Sequence, residues 1–505
     1  MHLANVLTLA ALFVALIHTA AAAEPASDIS AEWQPLHDRW QAAMQELHIP
    51  GLAVVAVRGN DIVLLDTLGV CDPAGRQRVE PHSPFYLASV TKSFTALGIA
   101  ILADEGKLKL DDPVKRYLPR FTLADKELAE KVTVRDLLSH RHGLNSEPIA
   151  MSEAYFGNIT DDRYYALLGF VESPGKFAYS NLHYTLAGRV IEAVSGKRWQ
   201  DFLAERVFAP LAMQDATCYA SKLYANPRVA WPIAEVNGKW QKAAVVKSDA
   251  VMHAAGGMGA SAADMAGWLR FQLTGKTPNG AELVSNAMLR DVHKQQVADE
   301  QDGQGGPPGQ TREGYSLGWF TGKYHGHQFL THGGGYLGTA TYVSFLPEKN
   351  VGVVVLMNEG PPNGMFPYVV ANDVYGQLLG ESLPDLLPEA RKLAARSRQR
   401  MAEQVELAWN GFAKGGGLSQ PVDRYAGRFE NAIWGDLTAK AVDGRLTFQI
   451  GELTLRNHGL GEDKFRMEVP GGGVIEGHFL VNDKQEVEGL SVETPEGPAE
   501  FRKLP

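Results

Sequence analysis

Two pairs of apolar runs stand out along the chain. Gly51-Leu-Ala-Val-Val-Ala-Val57 and Ile62-Val-Leu-Leu65 flank Arg58-Gly59-Asn60-Asp61, while Thr339 to Leu346 and Val351-Gly-Val-Val-Val-Leu356 flank Pro347-Glu348-Lys349-Asn350. Short apolar runs around turn residues predict two β-hairpins. Elsewhere the period lengthens. A helix is predicted around Glu32 to Leu47, and from Ser89 the residues Phe94, Leu97, Ile101 and Leu102 recur at helical spacing with Gly106 just past the end. Helical segments dominate to about Leu211, each set off by a cap or breaker such as Asp111-Asp112-Pro113 or Thr133 ahead of Val134-Arg135-Asp136. Ser261 with Asp264 predicts a capping box for a further helix. Hairpins that bracket a helical middle predict an α+β fold, an antiparallel sheet built from both ends of the region with a helical subdomain inserted between them.

Pro384 to Asn410 predicts a connecting helix whose basic run, Arg391, Lys392, Arg396, Arg398 and Arg400, is expected to be a solvated face. Lys414-Gly415-Gly416-Gly417 is expected to be a flexible joint. From about Pro421 to Pro505, runs such as Leu446-Phe448-Ile450, Phe465-Met467-Val469 and Phe479-Val481 alternate with turns such as Asp443-Gly444 and Asn482-Asp483. Roughly eight short strands in that span predict a small all-β barrel or sandwich. The expected division is 1–23, 24–385, 386–420 and 421–505.

At 505 residues, with 45% apolar and 21% charged positions, the chain can bury substantial cores. A net charge of -10 disfavours a nucleic-acid partner, whose phosphates call for a basic face. Residues 1–23 hold no Asp, Glu, Lys or Arg, and an apolar stretch from Val6 to Ile17 leads to Ala20-Ala21-Ala22-Ala23 ahead of Glu24. That pattern predicts a signal peptide and a periplasmic or secreted protein, with an uncleaved anchor as the alternative. No later segment has the ~18 uninterrupted apolar residues a membrane span requires. Cys71 and Cys218 form no C-x-x-C, so one disulfide or two inert thiols are the readings, and no metal cluster is expected.

Ser89-Val-Thr-Lys92 opens the periodic helix, where residues i and i+3 share a face with Cβ atoms about 5–6 Å apart. A serine there sits beside an amine at the positive end of the helix dipole. Ser173-Pro-Gly-Lys176 has the same spacing but is broken by Pro174-Gly175. Tyr179-Ser180-Asn181 adds a phenol and an amide, and His332-Gly333-Gly334-Gly335 adds an imidazole followed by bare backbone. Of the fifteen histidines only His332 precedes x-Gly. Gly335 and Ser89 N–H groups would form an oxyanion hole. Tyr224-Ala225-Asn226 also fits Tyr-x-Asn but runs into Pro227.

In company with further blocks, these motifs resemble the serine β-lactamase and penicillin-recognising enzyme family, in its tyrosine-containing branch of class C β-lactamases, D-amino-acid-releasing peptidases and esterases. The blocks are Phe85 to Phe94, Asp104-Glu-Gly-Lys-Leu108 with Leu110-Asp-Asp-Pro113, Val132 to His140 with Gly143-Leu144, Phe177 to Asn181, Leu186 to Glu192 and Pro210-Leu-Ala-Met213, in family order. The resemblance runs from about Trp40 to Leu379, and Tyr425-Ala-Gly-Arg-Phe429 opens a looser likeness to a lipocalin-like barrel. It implies a β-lactamase-like sheet flanked by helices. Ser89 would be the acylated nucleophile, Lys92 and Tyr179 would share the proton work, Asn181 would order them, and His332, Gly334 and Gly335 would meet the substrate.

The resemblance implies no cofactor or metal, a small-molecule or peptide substrate, and hydrolysis of an amide or ester. His332 departs from the lysine many members carry, and a mostly neutral imidazole grips a carboxylate less well. A peptidase or esterase is therefore expected ahead of an efficient β-lactamase. The alternative is a binding or scaffold protein that kept the fold. Arg141-His142 and His183 replace smaller residues usual in the family and are expected at the pocket rim. The barrel is expected to cover the cleft or mediate assembly; the oligomeric state is left open. Three rival motifs fail on context: Gly314-Tyr-Ser316-Leu-Gly318 lacks the strand–turn–helix of a nucleophile elbow, Gly333 to Gly338 runs into a strand, and the pairs His140/His142 and His325/His327 have no third ligand.

Overall fold

The computed structural model describes residues 29–236, 238–299, 308–410, 418–469, 473–494 and 497–505. The expected leader at 1–23 and glycine joint at 414–417 lie outside the described residues. Eight strands, β1 (Gly51–Arg58), β2 (Asp61–Gly69), β3 (Val297–Ala298), β4 (Gln310–Tyr315), β5 (Phe320–Tyr324), β6 (His327–Tyr336), β7 (Thr339–Leu346) and β8 (Val351–Met357), form one antiparallel sheet. Their order is β2-β1-β8-β7-β6-β5-β4-β3, so both predicted hairpins form and meet where Val54 pairs with Val355.

The sheet is covered on both faces. Along β1, Ala53, Val55 and Val57 enter one core and Leu52, Val54 and Ala56 the other. Strand residues alternate faces, so two buried faces produce the unbroken apolar run. Helices α1 (Gln34–Leu47), α2 (Thr91–Asp104), α3 (Asn181–Ser195), α4 (Ala262–Thr274), α5 (Phe366–Leu379) and α6 (Leu387–Asn410) supply the cover. Residues of α2, α3 and α4 build the first core, and those of α1, α5 and the first turns of α6 the second. α4 begins with the predicted capping box of Ser261 and Asp264.

The basic run on α6 is not simply a solvated face. Arg398 donates to Leu47 O (2.6 Å) and pairs with Glu235 (3.3 Å), Arg391 reaches Glu46 (2.7 Å), and Leu387, Ala390 and Ala394 are buried beneath them. Apolar side chains on the opposite flank of the same turns pull the helix onto the sheet, and its guanidinium groups then find partners there.

After α6, eight strands from Gly427–Asn431 to Gly497–Lys503 close into a barrel. Phe429, Phe448, Phe465 and Phe479 fill its interior. Phe156 of the helical region joins that apolar cluster, its carbonyl accepts from Glu452 N (2.8 Å), and Arg163 donates to Trp434 O (3.3 Å). Gly451 is required there, since a Cβ on it would lie 1.9 Å from Phe156 O. Among the described residues no helix is long and apolar enough to cross a membrane. Cys71 and Cys218 are free, buried thiols, and burial raises the Cys71 thiol to about 11.

Candidate functional site

Ser89 sits in a tight turn, Ala88–Val90, that feeds α2. Ala88 has φ +47°, a left-handed conformation that costs a residue with a side chain about 1–2 kcal/mol. Two hydroxyls hold it there: Thr91 Oγ1 donates to Ala88 O (2.7 Å) and Thr341 Oγ1 to Leu87 O (3.0 Å). Gly334 makes the second contact possible, because a Cβ on it would lie 2.1 Å from Leu87 O. The turn is thus clamped against β6 and β7, with Ser89 half-buried beside the sheet.

One turn along, Lys92 is wholly buried. Its Nζ lies 3.1 Å from Ser89 Oγ, 2.8 Å from Asn181 Oδ1 and 2.7 Å from Ala255 O, and 4.8 Å from the centre of the Tyr179 ring. No carboxylate is among these partners. Burial holds the amine well below the usual lysine range.

Tyr179 and Asn181 arrive together because Ser180 is the N-cap of α3. Its Oγ accepts from Leu182 N (3.2 Å) and donates to Asn145 Oδ1 (2.9 Å). The cap places Asn181 in the first helical turn against α2 and leaves Tyr179 on extended chain just outside. Tyr179 keeps 38% of its surface open to the cleft, but its hydroxyl end is packed round and faces Ser89. Burial pushes the phenol above its usual range.

His332 is buried, and both ring nitrogens are engaged. Nδ1 is 2.7 Å from Gly333 O, so it carries the proton; Nε2 then accepts from the Tyr315 hydroxyl at 3.1 Å. Burial first, and then the nearby Lys92, lowers the imidazole to about 3, so it is neutral at physiological pH. Strand β6 outruns β5: the last β5 partner is Phe320, opposite Thr331, whereas pairing to β7 continues to Tyr336 opposite Thr339. In an antiparallel ladder alternate residues face alternate neighbours. Counted from the tight turns at both ends of β6, Gly333 and Gly335 face the unpaired side, so the Gly335 N–H has no strand partner there.

A cleft of about 410 Å³ opens over this group, lined by Ser89, Tyr179, His332 and Gly333 and walled by Phe320, Phe329, Tyr342 and Tyr368. The structure therefore gathers Ser89, Lys92, Tyr179, Asn181, His332 and Gly333 around one cleft, with Gly334 beneath the turn and Gly335 on the same strand.

Other expectations are corrected. His183 does not reach the rim: it is fully buried, with Nδ1 3.0 Å from His140 Nδ1 and Nε2 accepting from Leu144 N (2.9 Å). Arg141 points to Gln296 O (2.8 Å) and His142 towards Asp136 (3.8 Å), away from the cleft lining. The His140–His183 pair stands behind Tyr179, whose ring packs 4.7 Å from that of His140. Ser316 is buried against Trp319, and Gly318 serves packing: with φ +92°, a Cβ on it would lie 2.9 Å from Ala96. Ser173 and Lys176 lie in a loop. Among the described residues no group of three or more His, Cys, Asp or Glu is placed to hold a metal.

Sequence reasoning missed Ala255, Tyr315 and Arg312. The small-residue run Ala254-Ala-Gly-Gly257 was the available signal for the first, since a carbonyl can reach a buried amine only where side chains are small.

A family model described as Beta-lactamase matches residues 36–374. The chain is 28% identical over 400 residues to Penicillin-binding protein 4 of Amycolatopsis lactamdurans, covering 76% of this chain and 98% of that one. It is 26% identical over 320 residues to Protein flp of Staphylococcus aureus, covering 62% of this chain and only 61% of that protein's length. The octameric penicillin-binding protein homologue from Pyrococcus abyssi superposes with a TM-score of 0.57 at 21% identity, covering 92% of this chain and 99% of that one.

Proposed function

We propose, from the premise that the chain belongs to the beta-lactamase family of serine hydrolases, that it cleaves an amide or ester through an acyl-enzyme on Ser89. The observation that carries this reading is the state of Lys92. A neutral amine has two N–H donors and one lone pair. Asn181 Oδ1 and Ala255 O accept and use the two donors, which leaves the lone pair for the Ser89 hydroxyl.

As Ser89 Oγ bonds to the substrate carbonyl carbon, Lys92 takes its proton. Ser89 and Gly335 N–H groups receive the developing oxyanion, each such donor being worth about 3–4 kcal/mol. Tyr179 passes its phenol proton to the departing amine or alcohol as that bond breaks and is reprotonated by Lys92; water then adds to the acyl carbon, giving a proton to Lys92, and Ser89 Oγ leaves with that proton returned to it. His332 is neutral and its nitrogens are occupied, so it offers no cation to a penicillin-type carboxylate, and a peptidase or esterase is favoured over an efficient β-lactamase. The apolar, uncharged stretch before Glu24 supports export. A fluorescent serine-reactive phosphonate should label the wild type and not Ser89→Ala. Absence of label, or equal label on both, refutes the hydrolase. The secreted protein should begin at Glu24 by N-terminal sequencing.

A further inference from the structure

The cleft contains one cation that the reaction above does not use. Arg312, on β4, is the single charged side chain among the cleft-lining residues described. Its Nε donates to the buried Asp299 carboxylate at 2.6 Å, and its guanidinium carbon lies 4.5 Å over the Phe320 ring. An arginine fixed by Nε to an acid and by its face to an aromatic ring is held in one orientation. Its two Nη groups remain as a planar fork, the geometry that binds a carboxylate bidentately. Neither Nη has a partner among the described residues, and the side chain is 41% exposed.

Its position differs from that of His332. The Phe320 ring is 5.5 Å from the His332 ring and 5.6 Å from the Tyr179 ring, and Arg312 lies on Phe320. Arg312 packs on Phe320 and on neither of those two rings, and it makes no hydrogen bond to Ser89, Lys92 or His332. Phe320, which touches both Arg312 and His332, and Phe329, Tyr342 and Tyr368 line the same cleft with aromatic wall.

We infer that Arg312 is the anion-recognition residue of the cleft, and that the preferred substrates carry a carboxylate on an apolar arm longer than that of a penicillin-type substrate. This inference rests on the acyl-enzyme reading of Ser89. A carboxylate set close to the scissile bond meets only the neutral His332; one carried across the aromatic wall meets the fork.

The test uses two series of activated esters, one with an ω-carboxylate on the acyl chain and one with it on the alcohol, lengthened a methylene at a time. Each ester is paired with its neutral ω-carboxamide, and uncatalysed rates are subtracted. In at least one series, kcat/KM for carboxylate over carboxamide should be near unity for the shortest chain and rise to roughly 10-fold or more with length, as for a hydrogen bond to a charged group. That ratio should fall as salt is raised, because the fork is partly exposed. It should collapse towards one in Arg312→Gln and persist in part in Arg312→Lys, which keeps the charge without the fork. The salt dependence tests the wild type directly should Arg312→Gln fail to fold. No preference at any length, a preference greatest for the shortest chain, or one that survives Arg312→Gln overturns the inference while leaving Ser89 chemistry intact. Failure of the wild type to turn over the neutral esters in a Ser89-dependent manner overturns the hydrolase reading, and this inference with it.

Discussion

Lys92 and Tyr179 are displaced in opposite directions by one cause. Burial disfavours the charged state of each, which lowers an amine and raises a phenol. The pair is therefore neutral amine and neutral phenol over a wide pH range, an acceptor and a donor on either side of Ser89. For a neutral ester, kcat/KM should rise with pH as Lys92 loses its proton. Once Lys92 is neutral it should stay level to about pH 10, because Tyr179 titrates above its ordinary value of 10.0. A descending limb well below pH 10 that vanishes in Tyr179→Phe would show that the phenol ionises in the working range and that burial does not hold it protonated. Tyr179→Phe itself should lose at least ~100-fold in kcat, the lower range for general acid–base work. A rate within a few-fold of wild type would assign all proton transfer to Lys92.

At the scale of elements, the site is held by three short devices: the Ala88 turn, the Ser180 cap and the glycines of β6. Gly334 shows how little slack there is. A methyl at this position would need to occupy space 2.1 Å from Leu87 O and 2.4 Å from Thr341 Oγ1, both of which hold the Ser89 turn. Gly334→Ala should push the turn away from β6 and cost at least 10-fold in kcat with the protein still folded by circular dichroism; an unchanged rate would mean that the turn is not fixed by that contact. The legible parts of the site were those with a local cause. Ser89 and Lys92 are tied by i,i+3 spacing, and Tyr179 and Asn181 by the cap between them. The illegible parts were meetings of distant segments: Ala255 is 163 residues from Lys92, and His183 is 43 from His140. His183 was misplaced for that reason, since one residue's outward or inward direction on α3 depends on what packs there. The fold was more legible because burial writes itself into whole runs; α6 was the exception, where a basic pattern matched a free helix and a docked one equally well.

Across the whole molecule, burial of titratable groups sets a stability profile with two flanks. Burial lowers His183 and His332 to about 3 and His293 to about 4, from an ordinary 6.5. Below pH 6.5 the unfolded chain gains protons that the native state refuses, so the unfolded state binds more protons and stability falls as pH falls. Glu153 and Glu359, raised to about 7 and about 8 from 4.5, act in the reverse sense: the native state keeps their protons, so between pH 4.5 and 8 they favour lower pH and blunt the acid flank. On the alkaline side, Tyr86, Tyr184, Tyr315 and Tyr375 are all buried and held well above 10.0. Above pH 10 the unfolded chain loses phenol protons that the native state retains, and stability falls as pH rises. Thermal midpoints measured against pH should therefore fall below pH 6.5 and above pH 10, and between these flanks the buried amines of Lys92 and Lys247, both held below their ordinary 10.5, tilt the profile upward with pH. Glu359→Gln, which removes one opposing carboxyl, should make the acid flank steeper between pH 4.5 and 6.5. A flank that became shallower instead would mean that Glu359 is ionised in the folded protein, and that the Arg398 guanidinium outweighs its burial.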